Sequence, residues 1–145
     1  MTASVHIPLN PFAPWGGELD ETPVRAIMRS GVISMPEDAS LRQAMRAMAA
    51  HAVHAILIVG ARDGTPIGWV TARGVLTWLT RDAALAPAGI AITEPVVWIE
   101  PTASAADVVR LLADTGATHL LVAYQADVPP QGVVSELDIV RLVAG

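Results

Sequence analysis

Shifted by 64 residues, positions 22–81 align with 86–145 without a gap. Eleven of the 60 pairs are identical, among them Pro23/Pro87, Ser40/Ser104, Gly68/Gly132 and Val70/Val134. Apolar runs align as well: Ile56-Leu57-Ile58 faces Leu120-Leu121-Val122, and Trp69-Val70-Thr71 faces Val133-Val134-Ser135. A period of this length marks one supersecondary unit used twice. A unit of about 60 residues buries too little surface to be stable alone, so the two copies must share a core. The expected arrangement is two units packed sheet to sheet about a pseudo-two-fold axis, with two clefts related by that axis.

Each copy reads alike. A short strand (Val32 to Met35, Val96 to Ile99) leads into a proline turn. Ser40 and Ser104 then stand as helix N-caps, with Gln43 and Asp107 three residues on in capping-box position. Apolar residues follow at helical spacing: Leu41, Ala44, Met45 and Met48, then Val108, Val109, Leu111 and Leu112. Next come a buried-type strand (Ala55 to Val59, His119 to Ala123), a turn holding Asp-Gly or Pro-Pro, and a second strand ending at Val70 or Val134. A last helix is expected over about 72–80 and 136–143. The order is β-α-β-β-α, twice, in an α/β (α+β) chain. The expected division is an N-terminal arm at 1–21, a first repeat at 22–84 and a second at 85–145. Pro8, Pro11 and Pro14 keep the arm from being helical throughout.

Apolar residues make up 52% of the chain and the formal net charge is −5, which fits a folded core and disfavours both nucleic acid and an anionic membrane surface as partners. With no cysteine, disulfides and thiolate metal sites are excluded. No apolar stretch approaches the roughly 20 residues of a membrane-spanning helix. The N-terminus has no basic start and no uninterrupted apolar segment, so no signal peptide is expected and a soluble cytoplasmic protein follows by elimination.

The opening strand, Ser40-Leu41, the strand Ile56 to Val59 and the element Gly132-Val133-Val134-Ser135-Glu136-Leu137-Asp138 together resemble the tandem CBS-domain pair, or Bateman module, over residues 22–145. The first repeat carries Gly68-Trp69-Val70-Thr71-Ala72-Arg73-Gly74 at the same place. The resemblance implies two CBS repeats and a regulatory, non-catalytic module with no required cofactor. It implies an adenosyl ligand (AMP, ADP, ATP or S-adenosylmethionine) in an inter-repeat cleft.

The residues suit such a ligand. Ser135 stands where a strand enters a helix, and the unpaired N–H groups there attract phosphate. Gly132 permits close backbone approach. Asp138, one turn in, can accept two hydrogen bonds from vicinal ribose hydroxyls. Ser135 with Asp138 is equally a Ser-x-x-Asp helix cap that needs no ligand. The resemblance assigns Ser135 to phosphate or ribose and Asp138 to ribose. It lines the base pocket with the stretch Met28 to Ile33, with Val53 near by and Val133 as a floor. It turns His54 and His119 toward phosphate, with an affinity that would follow histidine protonation. Gly74 replaces the aspartate in the first repeat, so one competent cleft and one degraded cleft are expected, Thr71 and Thr93 belonging to the degraded one. Trp78, on the last helix of the first repeat, is placed by the resemblance at a homodimer contact.

No GxxxxGK[ST], dinucleotide fingerprint, HExxH or metal cluster occurs. The alternative to the sensor is a ligand-free dimerisation or scaffold module acting on a separate, unidentified partner protein.

Overall fold

The computed structural model describes residues 16–125 and 129–145, so Pro8, Pro11 and Pro14 of the arm lie outside the described residues. Seven strands form two sheets. In the three-stranded sheet, β2 (Ser34–Pro36) runs parallel to β3 (Ala55–Val59), which pairs antiparallel with β4 (Pro66–Thr71). In the four-stranded sheet, β5 (Trp98–Ile99) runs parallel to β6 (His119–Val122), β6 pairs antiparallel with β7 (Gly132–Ser135), and β1 (Arg29–Ser30) adds itself antiparallel to β7. The mixed α/β architecture of two packed β-α-β-β-α repeats is therefore as the sequence pattern predicts.

Strand alternation sorts the core into layers. Ala55, Leu57, Trp69 and Leu121 meet between the two sheets. Their neighbours Ile56, Ile58 and Val70 point the other way, against α2 (Leu41–His51) and α3 (Ala72–Leu76). Leu120, Val122 and Val134 likewise face α4 (Ala105–Thr115), with Ile139 of α5 (Glu136–Ala144) packed beside them. Successive residues of a strand point to opposite faces, and these strands are apolar on both because both faces are covered.

Both expected capping boxes form. Gln43 N–H donates to Ser40 Oγ at 3.1 Å and Ser40 N–H to Gln43 Oε1 at 2.8 Å; Asp107 N–H donates to Ser104 Oγ at 3.1 Å and Ser104 N–H to Asp107 Oδ2 at 3.0 Å. The helices α2 and α4 also end alike, in the left-handed region, at Ala52 (φ 52°) and Gly116 (φ 71°). These are aligned positions, 64 residues apart.

Two features differ from the sequence expectation, and a third is one that the family resemblance implies. First, α3 stops at Leu76 rather than near residue 80. It contains Gly74, and the Thr77 hydroxyl donates back to the Gly74 carbonyl at 2.8 Å, a bond that competes with helix propagation. Second, the last part of the arm is ordered as α1 (Gly16–Glu21), which buries Leu19 against Ala105 and Ala106 of α4. Third, as the resemblance implies for the stretch Met28 to Ile33, the lead-ins exchange. Val24, from the start of the first repeat, sits in the second core, while Ala88 and Ala91, from the start of the second, sit in the first. The strand β1 joins β7 of the other repeat, and Glu94 bridges to Trp69 at the corresponding edge, one residue out of the register that exact symmetry with β1 would give. Each cleft is consequently walled by the lead-in of one repeat and the last strand and helix of the other.

Candidate functional site

A cavity of about 820 Å³ opens between the repeats. The first repeat contributes Arg29 to Ile33, Val53, His54 and Ala55; the second contributes Thr118, His119, Val133, Ser135 and the start of α5. The exchange of lead-ins explains this composition. Once β1 hydrogen-bonds to β7, residues 29–33 must cross in front of Ser135.

Asp138 is the most informative residue. It is only 8% exposed, yet it lines the cavity. Its Oδ2 accepts from the Ser135 N–H at 2.7 Å and from the Ser135 hydroxyl at 3.1 Å. Those bonds close the N-terminus of α5. The other oxygen, Oδ1, has no partner among the described residues and stays reachable from the cavity. The helix cap thus uses one oxygen of the carboxylate and leaves the other open toward the cavity.

Most of the remaining candidates converge here. Ile33 and Val53 form apolar wall, and Val133 lies beneath. His54 is exposed at the rim, at the start of β3. His119 is half-buried, with its ring centroid 5.6 Å from that of Trp69. Burial is the main cause that holds the His119 pKa below its ordinary value; Glu94, Glu136 and Asp138 oppose that and His54 adds to it. Two expected residues do not line the cavity. Met28 packs against the second core instead, because the lead-in turns inward just before β1. Gly132 is buried where the Arg29 backbone crosses it, so the room left by its missing side chain is used by the chain itself.

Thr71 and Thr93 meet in the symmetry-related position. Their hydroxyls are 3.3 Å apart, and Thr71 Oγ1 also accepts from the Gly74 N–H at 3.0 Å. A Cβ on Gly74 would lie 2.8 Å from Thr93 Cγ2, so Thr93 occupies the space where an aspartate would stand. Glu94 does the same for the start of β6: it accepts from the Thr118 N–H at 2.9 Å and from the Thr118 hydroxyl at 2.6 Å. The sequence pattern did not single out Glu94 or Thr118. The signal was the pairing of Ser30 with Glu94 in the repeat alignment, which turns meaningful only when Thr118, 24 residues away, is seen to be its partner.

Among the described residues no helix is long and apolar enough to cross a membrane, and no cluster of three or more metal-ligating side chains occurs.

The CBS-domain family model matches the chain twice, at residues 24–81 and 88–145. Similar solved structures include a CBS-domain containing protein from Agrobacterium tumefaciens, at 20% identity over 84% of this chain and 93% of that chain, with a TM-score of 0.73. The CBS domain of the bacterial CNNM/CorC family Mg2+ transporter in complex with ATP is 19% identical over 88% of this chain and 91% of that one, with a TM-score of 0.74. Hypoxic Response Protein I with two coordinated zinc ions is 25% identical over 83% and 98%, with a TM-score of 0.66. No curated protein matches the chain by sequence.

Proposed function

This chain belongs to the CBS-domain family as a tandem pair, and from that premise we propose that it is a regulatory, non-catalytic module binding an adenine nucleotide or adenosyl compound in the cleft closed by Ser135 and Asp138. The observation that carries the proposal is Asp138, a buried carboxylate with one oxygen spent on its helix and the other facing an apolar-walled cavity. Vicinal ribose hydroxyls are donors of the right kind for that oxygen. The bound ATP of the transporter CBS domain supports the ligand class; AMP, ADP, ATP and S-adenosylmethionine all share the adenosine that would be held.

The second cleft suggests where an anionic group goes. There the Glu94 carboxylate sits on the Thr118 N–H. The repeat maps Thr118 onto His54 and Glu94 onto Ser30, which is too short to fill the same place. The His54 N–H has no partner among the described residues, and Arg29 lines the same cavity. Phosphate is accordingly assigned to the neighbourhood of His54 and Arg29.

Because the ligand touches both repeats, it favours whichever arrangement of them fits it better, and only that difference in affinity can transmit a signal. Leu76, Leu79, Leu137 and Val140 are large apolar residues exposed on and just after the two last helices, and they are the surface we assign to a second copy of the chain.

The test is a thermal-shift screen with AMP, ADP, ATP, NAD and S-adenosylmethionine on the wild type and Asp138→Ala. A ligand at a hundredfold excess over Kd should add about 2.7 kcal/mol in the wild type and nothing in the variant. No shift with any of these ligands would favour the ligand-free scaffold instead.

A further inference from the structure

Thr118 stands between two groups. Its hydroxyl donates to Glu94 Oε2 at 2.6 Å, and the same oxygen lies 2.8 Å from Nδ1 of His119. A threonine hydroxyl has one hydrogen, and an ionised carboxylate can only accept. The hydrogen therefore goes to Glu94. The short contact to His119 is then a hydrogen bond only if Nδ1 carries the ring proton, an assignment that follows from the hydrogen-bond count. In the neutral ring Nε2 is left with a bare lone pair. Nε2 has no partner among the described residues and is not sealed off, and His119 lines the cavity directly across the β6/β7 ladder from Ser135. Trp69, tilted 33° to the imidazole, limits its rotation.

We infer that His119 serves the cleft as a hydrogen-bond acceptor, set in its Nδ1–H tautomer by Glu94 through Thr118, and that it reads an N–H or O–H donor of the ligand rather than phosphate. The inference rests on the nucleotide reading above and sharpens it. A bare lone pair facing a phosphate oxygen repels it, whereas it matches the 6-amino group of adenine or a ribose hydroxyl. Glu94, Glu136 and Asp138 favour a protonated ring and His54 disfavours one, while burial outweighs them toward the neutral form. Glu94 and Thr118 are positioning residues: they hold the proton on the far side of the ring. The second cleft, plugged by its own carboxylate, thereby sets the chemistry of the first.

Two measurements test this. Imidazole 15N spectra of the ligand-free protein should show His119 protonated at Nδ1 and bare at Nε2. Thr118→Val should yield mixed tautomers, and Thr118→Ser should restore the single one. A wild-type spectrum with the proton on Nε2 overturns the tautomer assignment whatever binds. Titration of AMP and ATP into His119→Phe, which keeps a ring beside Trp69 and is first checked for a wild-type-like melt, should show affinity weakened about five- to tenfold. Purine riboside nucleotides lacking the 6-amino group and 3′-deoxy nucleotides locate the donor. The analogue that weakens binding to the wild type but not further to His119→Phe lacks the group that His119 meets. Wild-type affinity in His119→Phe, alongside lost binding in Asp138→Ala, overturns this inference and leaves the proposed function standing. No binding to the wild type overturns both the function and this recognition.

Discussion

In the first cleft the last helix opens Ser135-Glu136-Leu137-Asp138, and the lead-in opposite reads Arg29-Ser30; in the second the matching residues are Thr71-Ala72-Arg73-Gly74 and Thr93-Glu94. The backbones around both run alike, lead-in beside last strand, although Ser30 faces Gly132 while Glu94 bridges to Trp69, one residue out of the matching register. The side chains send the two clefts to opposite ends. In the second, Thr93 fills the room beside Gly74 and Glu94 supplies an anion to the Thr118 N–H, so the polar groups are met from within. In the first, Asp138 Oδ1 and the His54 N–H have no partner among the described residues. The first cleft thus leaves open to the cavity the kind of hydrogen-bonding groups that the second closes from within. Symmetry of fold thus yields one cleft closed from within and one left open.

The largest break of this comparison should come from Asp138→Ala. Two hydrogen bonds to a charged group are lost, so nucleotide affinity should fall about 100-fold or more by calorimetric titration. The melt should fall only by the helix-cap contribution of about 1 kcal/mol. Retained affinity would mean that Asp138 is a cap and nothing else.

Gly74→Asp should not by itself create a second site. Its Cβ is crowded by Thr93, and a destabilisation of about 1–3 kcal/mol is expected in urea. Combined with Thr93→Ala and Glu94→Ser, the aspartate should fit, and equilibrium dialysis should find two ligands per chain in place of one. Unchanged stoichiometry in the triple variant would show that more than these three residues separates the clefts.

A smaller effect concerns pH. Burial above all lowers the folded-state pKa of His119 from 6.5. Between that lowered value and 6.5 the unfolded chain binds more protons, so stability rises with pH across this window. The contribution is complete above about 6.5 and is lost as the pH falls below it. Urea melts across this range should show a shallower slope in His119→Phe than in the wild type; equal slopes would place the ring in a solvated setting.

The smallest expected change lies at the aligned helix ends. Ala52 adopts the left-handed conformation that Gly116 adopts in the other repeat. Ala52→Gly should stabilise by about 0.5–1 kcal/mol, and Gly116→Ala should destabilise by a similar amount, both read from denaturant midpoints.

Local signals made much of the fold legible. Ser40 with Gln43 and Ser104 with Asp107 are three residues apart, so their boxes can be written from sequence and are found intact. Ile56 to Ile58 and Leu120 to Val122 read as strands buried on both faces. Ser135 and Asp138 were legible for the same reason, being one helical turn apart. The end of α3 was not, because Thr77 competes for the Gly74 carbonyl through a bond that composition does not announce. Nor were the places of Met28 and Gly132, which depend on where a two-residue strand crosses to its neighbour.

By itself the sequence determined that the chain is one unit used twice, where its helices begin, which strands are buried and that the second repeat carries the aspartate. These follow from interactions within one or two turns or along one strand, whose partners are set by spacing. Only the tertiary structure decided how each lead-in pairs with the opposite repeat, that Glu94 meets the Thr118 N–H and that His119 lines the other cleft beside Thr118. Those outcomes rest on pairs such as Glu94 with Thr118 and Arg29 with Val133, brought together only when the two repeats pack about their axis.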